Sequence, residues 1–522
     1  MFYRPGAVDE MESAKDHHST GDAAEGPEKC RVHAISDVCD IHHQPQHDEP
    51  SYSAFSSSAK IAITAASALS CLASPLTACI YFPALGAIAS ALDVSIALIN
   101  LTITSFMIFQ AVAPTLIGDF GDSAGRRPAF ALAFAVYLVA NIGLGLQRNY
   151  VALLLLRCVQ SLGSSGTVAL SIATVADIAS SAERGRYMGI VSSGATIGPA
   201  IGPFLGGLLA EYLGWPSIFW FCAILAVVVL IPLFAIIPET CRNVVGNGSY
   251  PPQPWNRPFA PLLQPTLDTD QPPPTGLRQL RFPNPLKTLK VLFDKEMAIL
   301  LFYASILYVG FVDVAATLGT QLGPIYDLND FQVGLCYLPY GVGCFVTAFS
   351  QGFVLDWNYR RIARKMGLVV DRKKASDLTN FPIETARLQL VYPLLVFGLV
   401  AMAGYGWTLQ SKTHIAIPLV LLFLIGGCVS GAFFILNILV VDLHPEAPAT
   451  ATAANNLVRC LMGAAGTAIV ESMIQGMGKG WCFTFLAALC AVLAPSMMVL
   501  ERFGPAWRRA KIDACQEFES NS

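Results

Sequence analysis

Four ionisable side chains lie inside otherwise apolar stretches of the chain: Arg157, Asp313, Arg459 and Glu471. In hydrocarbon each costs at least roughly 2.5 kcal/mol, so an intramembrane charge is expected to face a water-filled cavity and to carry function. Asp313 is the acidic candidate for a coupling proton, because burial favours the neutral acid and lets it load and release; the alternative is a structural pair with Arg459. Arg157, followed three residues later by Gln160, is a cavity residue or a buried arginine satisfied by backbone carbonyls. Glu471 lies near the end of its stretch and is expected to be solvated. Gln110, Asn141 and Asn437 either line the cavity or make hydrogen bonds between helices.

Other chemistries are poorly provided for. The apolar stretches hold no nucleophile with a base and no His-rich metal set, which disfavours a membrane enzyme. There is no Walker A loop, so ATP-driven pumping is disfavoured. A net charge of −3 leaves no basic excess for nucleic acid. The 14 cysteines are spread without a CxxC pair, arguing against zinc and for small apolar fillers. Six histidines (His17, His18, His33, His42, His43, His47) fall in the first 59 residues, but their spacing is irregular and fixes no metal site. No metal and no organic cofactor is expected.

The elements that must position these residues are membrane helices. Of 522 residues, 54% are apolar and 13% charged, against roughly a quarter charged in a soluble domain, and the mean hydropathy is +0.53. Apolar windows of bilayer length are read at 60–82, 97–117, 129–147, 150–172, 187–210 and 217–237, then at 297–318, 334–354, 390–409, 415–437, 450–474 and 481–500. This predicts an all-α integral membrane protein of two six-helix bundles, 60–240 and 297–501, with a polar tail over 1–59, a Pro-rich linker over 241–296 and a short tail over 502–522. The linker cannot span lipid and reads as an extended tether. Connections on the linker side carry nineteen Lys and Arg against three (Arg148, Lys412, Lys479) on the other, which puts both termini in the cytosol. The sequon at Asn100 lies at the mouth of the second span, and that at Asn247 in the inner linker, neither a confident acceptor.

An internal repeat supports the two-bundle reading. Gly118-x-x-x-Asp122-x-x-Gly125-Arg126-Arg127 follows the second span, and Gly352-x-x-x-Asp356-x-x-Tyr359-Arg360-Arg361 follows the eighth. The first copy matches at every fixed position the loop motif G-x-x-x-D-x-x-G-R-R/K, and so resembles the major facilitator superfamily; the second departs from it at Tyr359. The resemblance implies that Asp122 latches the halves at the N-terminus of the eleventh span, near Pro448 to Thr450, and that Arg126 or Arg127 pairs with Asp177.

Two further strings narrow it. Gly194-x-x-x-Gly198-Pro199-x-x-Gly202-Pro203 in the fifth span would by itself be a close-packing motif, and it is similar to the motif of proton-coupled antiporters of that superfamily. Leu153-x-x-x-Arg157-x-x-Gln160-Ser161 is similar to the family pattern L-x-x-x-R-x-x-Q-G, with Ser161 in place of Gly; the resemblance implies that Arg157 tunes proton release or holds an anionic group of the substrate. With Pro238-Glu239-Thr240, Asn284-Pro-Leu286 and Phe381-Pro-Ile-Glu384-Thr-Ala-Arg387, the chain from about 60 to 507 resembles the fungal twelve-span drug:proton antiporters, above all the quinidine-resistance subgroup, which includes dityrosine and citrate exporters. The implied activity is monomeric export of small organic molecules, drugs or secondary metabolites through the plasma membrane, driven by protons alone. Organic acids such as citrate are the alternative substrates. Uptake is weakened because the sixth span ends in Pro-Glu-Thr and the seventh lacks the Gln pair of sugar porters. A nutrient sensor is weakened by the short C-terminal tail.

Overall fold

The computed structural model describes residues 53–179, 181–253, 256–258, 263, 292–366, 382–443 and 448–521. The N-terminal histidines, most of the Pro-rich linker including Asn284-Pro-Leu286, and Phe381 lie outside the described residues. Among those described, every regular element is helical, and twelve helices are long and apolar enough to cross a membrane. These spans run Ser57–Leu92, Ile96–Ala124, Arg126–Leu146, Tyr150–Ile178, Gly185–Leu213, Pro216–Ala235, Lys295–Tyr326, Asp330–Lys365, Ile383–Gln410, Ala416–Leu443, Thr450–Met477 and Lys479–Arg509, and they are numbered in that order below. All twelve expected windows are occupied.

Local chemistry sets the ends. Ser56, Ser95 and Asn149 accept hydrogen bonds from the first turns of the first, second and fourth spans, and Asn329 forms a capping box with Gln332 at the start of the eighth. The first span is interrupted: an α-helix to Cys79, a 3-10 turn over Phe82–Ala84 forced by Pro83, and a second helix over Leu85–Leu92. It therefore extends ten residues beyond the expected limit of 82. Beyond the twelfth expected window a helix continues over Pro495–Asn521.

The two bundles repeat one packing scheme. First packs on fifth, second on fourth, and third on fourth and sixth; correspondingly seventh packs on eleventh, eighth on tenth, and ninth on tenth and twelfth. The bundles meet where the fifth span packs on the eighth and the second on the eleventh, pairs that exchange under the repeat. The end carrying residues 118–127 is called here the motif end, and the opposite end the far end.

Contacts between bundles concentrate from mid-depth to the far end. Phe331 lies against Phe204 and Tyr212, with ring centroids 6.2 and 6.0 Å apart, and Asp330 N donates to Glu211 Oε2 at 3.1 Å. Phe82 stacks on Tyr337 at 6.5 Å. Nearer mid-depth, Thr104 and Thr467 hydroxyls are 3.2 Å apart, and Asn456 Nδ2 donates to Gln110 O at 3.1 Å. At the motif end of three of these interface helices, the second, fifth and eighth, Gly118, Gly189 and Gly352 have open space where a Cβ would stand.

Candidate functional site

At the motif end, the second helix stops at Ala124 because Gly125 takes φ +114°, and the third begins at once with Arg126. Only glycine fits: the conformation disfavours L side chains, and a Cβ there would stand 2.6 Å from Glu239 Oε2. Arg126 Nε donates to Asp177 Oδ2 at 2.8 Å, and its Nη1 pairs with Asp122 Oδ1 at 2.5 Å. Arg127 turns elsewhere. Its guanidinium donates to the carbonyls of Leu233 and Phe234, the last turn of the sixth span, at 3.2 and 3.0 Å, and to Asn256 O.

Glu239, 2% exposed, organises this corner and was not singled out as a site residue from the sequence. Its carboxylate accepts from Arg126 N at 2.7 Å, Arg127 N at 3.1 Å, Asn256 Nδ2 at 2.8 Å and the N–H groups of Thr240 and Cys241. It caps the third span, where the helix dipole favours an anion. The linker's first part is consequently no loose tether: Arg242 Nε and Asn243 Nδ2 donate to the backbone oxygens of Asp177 and Asp122, and Asn256 is 2% exposed. Burial pushes the Cys241 thiol up to about 12.

The Asp122 side chain is 56% exposed, and among the described residues its carboxylate makes no bond to the eleventh helix, which begins at Pro448. The second motif copy also differs from expectation. Because Tyr359 does not break the chain as Gly125 does, the eighth helix runs on to Lys365, leaving Asp356 and Arg360 as a 3.7 Å pair along one helix, 72% and 44% exposed, with Arg361 over Trp357. The counterpart of Arg126–Asp177 is instead Arg387–Asp442: Nε to Oδ2 at 3.0 Å, again from the first turns of one span to the end of the next. In the sequence Arg387 belongs to a string of family likeness, and no fixed-offset pattern marks it as a site residue.

In the fifth span Gly194, Gly198, Gly202 and Gly206 form one face against the backbone of the first at Ala68, Leu76 and Ile80; a Cβ at Gly198 would stand 2.7 Å from Leu76 N. The residues between them face the eighth span, where Gly334 lies against Pro203 O and Gly207, and Gly341 against Ala200. Pro199 and Pro203 are both inside the helix. The motif thus joins the first span to the other bundle.

Arg157 does not line an open cavity. It is 1% exposed within the N-terminal bundle, its Cζ 4.3 Å from the Tyr81 ring centroid and 4.4 Å from that of Phe106. Arg157 Nη1 donates to Gln160 Oε1 at 2.6 Å, Gln160 Nε2 to Asn141 Oδ1 at 2.7 Å, and Asn141 Nδ2 to Tyr137 O at 2.7 Å. Tyr81, at the break in the first span, hydrogen-bonds Thr102 at 2.9 Å; the only sequence signal for it was Pro83.

Arg459 of the eleventh span makes its contacts within the C-terminal bundle. Its Cζ is 4.9 Å from the Tyr308 ring and 5.8 Å from Phe433, its Nη2 donates to Asn456 Oδ1 at 2.6 Å, and its Nε has no partner. It does not pair with Asp313. That carboxyl is 1% exposed, with Oδ1 unpartnered, beside Gly466 of the eleventh span, where a Cβ would stand 3.0 Å from Oδ2. Glu471, expected in solvent, is 8% exposed, because its side chain turns into the bundle. Asn141 and Asn437 make interhelical bonds, the latter from Asn455 at 2.7 Å. Asn100 is 1% exposed, buried away from any glycosylating enzyme. No group of three or more His, Cys, Asp or Glu is placed to hold a metal among the described residues.

Residues 67–467 match the family model described as Major Facilitator Superfamily. The chain is 39% identical over 510 residues to the MFS-type transporter phiD of Fungal sp. (strain ATCC 74256), covering 97% of this chain and 77% of the relative. It is 36% identical over 482 residues to Citrate exporter 1 of Aspergillus niger, covering 89% and 90%. A crystal structure of a D-xylose-proton symporter superposes with a TM-score of 0.61 at 13% identity, covering 84% of this chain and 97% of that one, a likeness of fold.

Proposed function

The chain belongs to the Major Facilitator Superfamily, and from that premise we propose that it is a proton-coupled exporter of small organic molecules at the plasma membrane, with both termini cytosolic. Alternating access carries the cycle: the bundles rock about the fifth–eighth and second–eleventh seams, with no cofactor beyond the proton gradient. The observation that carries the coupling is Asp313. A carboxyl in the membrane interior with no cation paired to it among the described residues and an unpartnered oxygen is expensive to charge. It lies against the eleventh span, which is itself a seam helix. A rearrangement of that seam would change its access to water and so bind or release its proton.

In this orientation the motif end is cytosolic. The far-end ring contacts close the outer side, and the exposed Asp122 carboxylate is an open latch, an arrangement that corresponds to an inward-facing carrier. Asp122 would reach the eleventh helix N-terminus when the carrier turns outward.

One observation favours organic anions as substrates. Arg459 lies inside the C-terminal bundle without a carboxylate partner among the described residues, beside the Tyr308 and Phe433 rings. A carboxylate with an apolar or planar body would satisfy its free Nε and stack on those rings. This agrees with the citrate exporter among the relatives. The test is efflux from preloaded cells overexpressing the protein, using citrate, aromatic carboxylates and hydrophobic cationic drugs with and without a protonophore. Protonophore-sensitive loss of the acids supports the anion reading; loss of cations alone reassigns Arg459 to structure, and efflux insensitive to the protonophore removes proton coupling.

A further inference from the structure

The first turns of the ninth span are held on three sides at the motif end. Arg387 Nε donates to Asp442 Oδ2, at the end of the tenth span, at 3.0 Å, and Asn358 Nδ2 of the eighth span donates to Ala386 O at 2.7 Å. The third side is the helix that continues the twelfth span from Pro495. Arg508 Nη2 pairs with Glu384 Oε2 at 3.4 Å, and Tyr392 OH donates to Glu501 Oε2 at 2.8 Å, so the two helices run antiparallel in one register. Between these contacts Gly504 lies against Glu384, where a Cβ would stand 3.4 Å from Cγ. Residues 501, 504 and 508 recur at helical spacing and form one face. Glu384 is fully buried beneath it, and Pro382 before the helix gives no side-chain cap. A buried carboxylate needs a cation or donors; Arg508 supplies the cation.

The N-terminal bundle builds the same corner with the charges exchanged. Under the repeat, the third, fourth and sixth spans stand where the ninth, tenth and twelfth stand. Arg126 pairs with Asp177 at the end of the fourth span, as Arg387 does with Asp442. The carboxylate of Glu239, which follows the sixth span, accepts from the N–H groups of Arg126 and Arg127. In the C-terminal bundle the acid stands on the ninth span and the cation comes from the twelfth. The cause is local. The sixth helix stops at Ala235 and the chain can turn Glu239 into the corner, whereas the twelfth runs on as helix and reaches the corner only with a long side chain from its flank. Glu384 precedes Arg387 by three residues, so a hold on one orients the other, about one turn away.

We propose that Glu384 and Arg508 are positioning residues of the transport cycle. The motif-end part of the twelfth span fixes the first turn of the ninth so that Arg387 meets Asp442, and the two corners let each bundle move as a rigid body. This goes beyond the exporter reading, because an alternating-access carrier of any substrate would use the corner in the same way.

Hydrogen–deuterium exchange of the purified full-length protein tests the proposal without a substrate. Arg508→Met is expected to speed exchange about tenfold over residues 383–390 and, through Arg387, over residues 436–443 at the end of the tenth span; Arg508→Lys, which keeps the cation, is expected to stay within about twofold of wild type. Arg387→Ala speeds the tenth-span stretch, and adding Arg508→Met to it speeds that stretch no further. A change confined to 383–390, or two effects that multiply in the double variant, overturns the positioning role. Where Arg508→Met does not fold, Tyr392→Phe removes only the hydroxyl that holds Glu501 and is expected to speed both stretches about threefold; wild-type exchange over 436–443 in that variant overturns the proposal equally. A protein with this exchange pattern but no proton-driven efflux contradicts the exporter reading and leaves the corner standing.

Discussion

Glu239 carries more of the motif-end structure than either arginine beside it. Its two oxygens accept from the first turn of the third span, from its own following backbone and from Asn256. Hydrogen bonds to a charged acceptor contribute roughly 1.5–3 kcal/mol each, so Glu239→Gln is expected to lower stability by about 2 kcal/mol, read as a lower melting temperature of the purified protein. An unchanged melting temperature would contradict the capping role. Asp313 is predicted to behave differently: Asp313→Asn keeps the shape, folds, loses gradient-driven efflux and retains exchange of labelled for unlabelled substrate. Wild-type coupling in that variant would remove Asp313 from the mechanism. What was legible here follows pattern. Asp122 and Arg126 could be read from a motif with fixed offsets, Asp177 from the resemblance that motif carries, and Arg157 and Asp313 from being charges in hydrocarbon. Glu239 escaped because its partners are backbone N–H groups, which leave no sequence pattern, and Tyr81 because one tyrosine in an apolar run is unremarked until the helix breaks at Pro83. The Asp313–Arg459 pair failed because helical spacing cannot say which face of a neighbouring helix a long side chain meets.

At the scale of elements, the twelve spans were readable from hydropathy, and at the second motif copy the departure at Tyr359 was readable but not its effect on the helix. Matched offsets after the second and eighth spans do not make one geometry twice. The geometry depends on Gly125 at φ +114°; with Tyr359 in its place the helix continues and the ion pair migrates to Arg387 and Asp442. It follows that Arg387→Ala and, in the other half, Arg126→Ala should each reduce transport about tenfold or more, because each leaves a half-buried acid unpaired. Arg360→Ala, at an exposed i,i+4 pair, should stay within about twofold. The reverse order would restore the original placement. The fifth-span glycines obey a related rule: Gly198→Leu cannot be accommodated against Leu76 N and Pro75, and is expected to abolish accumulation of folded protein, while Gly118→Ala, with open space beside it, is expected to fold normally. Equal yields of both, measured by fluorescence-detected size exclusion, would contradict this packing.

For the whole molecule, the proposed resting state depends on the contacts that hold the bundles together at the far end. The rings of Phe331, Phe204 and Tyr212 contribute about 0.5–1.5 kcal/mol per pair beyond burial, so Phe331→Ala should shift the population toward the state open at the far end by about tenfold. Spin labels at Arg186 and Arg364, exposed near the motif ends of the fifth and eighth spans, would report it as growth of a shorter distance. An unaltered distribution would mean that the far-end rings do not hold the closure. The central claim is that outward movement of substrate is tied to inward movement of protons. The most direct measurement reconstitutes the purified full chain in liposomes loaded with citrate or an aromatic carboxylate, imposes a proton gradient opposed to substrate movement, and follows both fluxes together. The account predicts substrate efflux against its own gradient with a fixed proton count per molecule, lost in Asp313→Asn. Efflux of the same size with the proton gradient collapsed would contradict it.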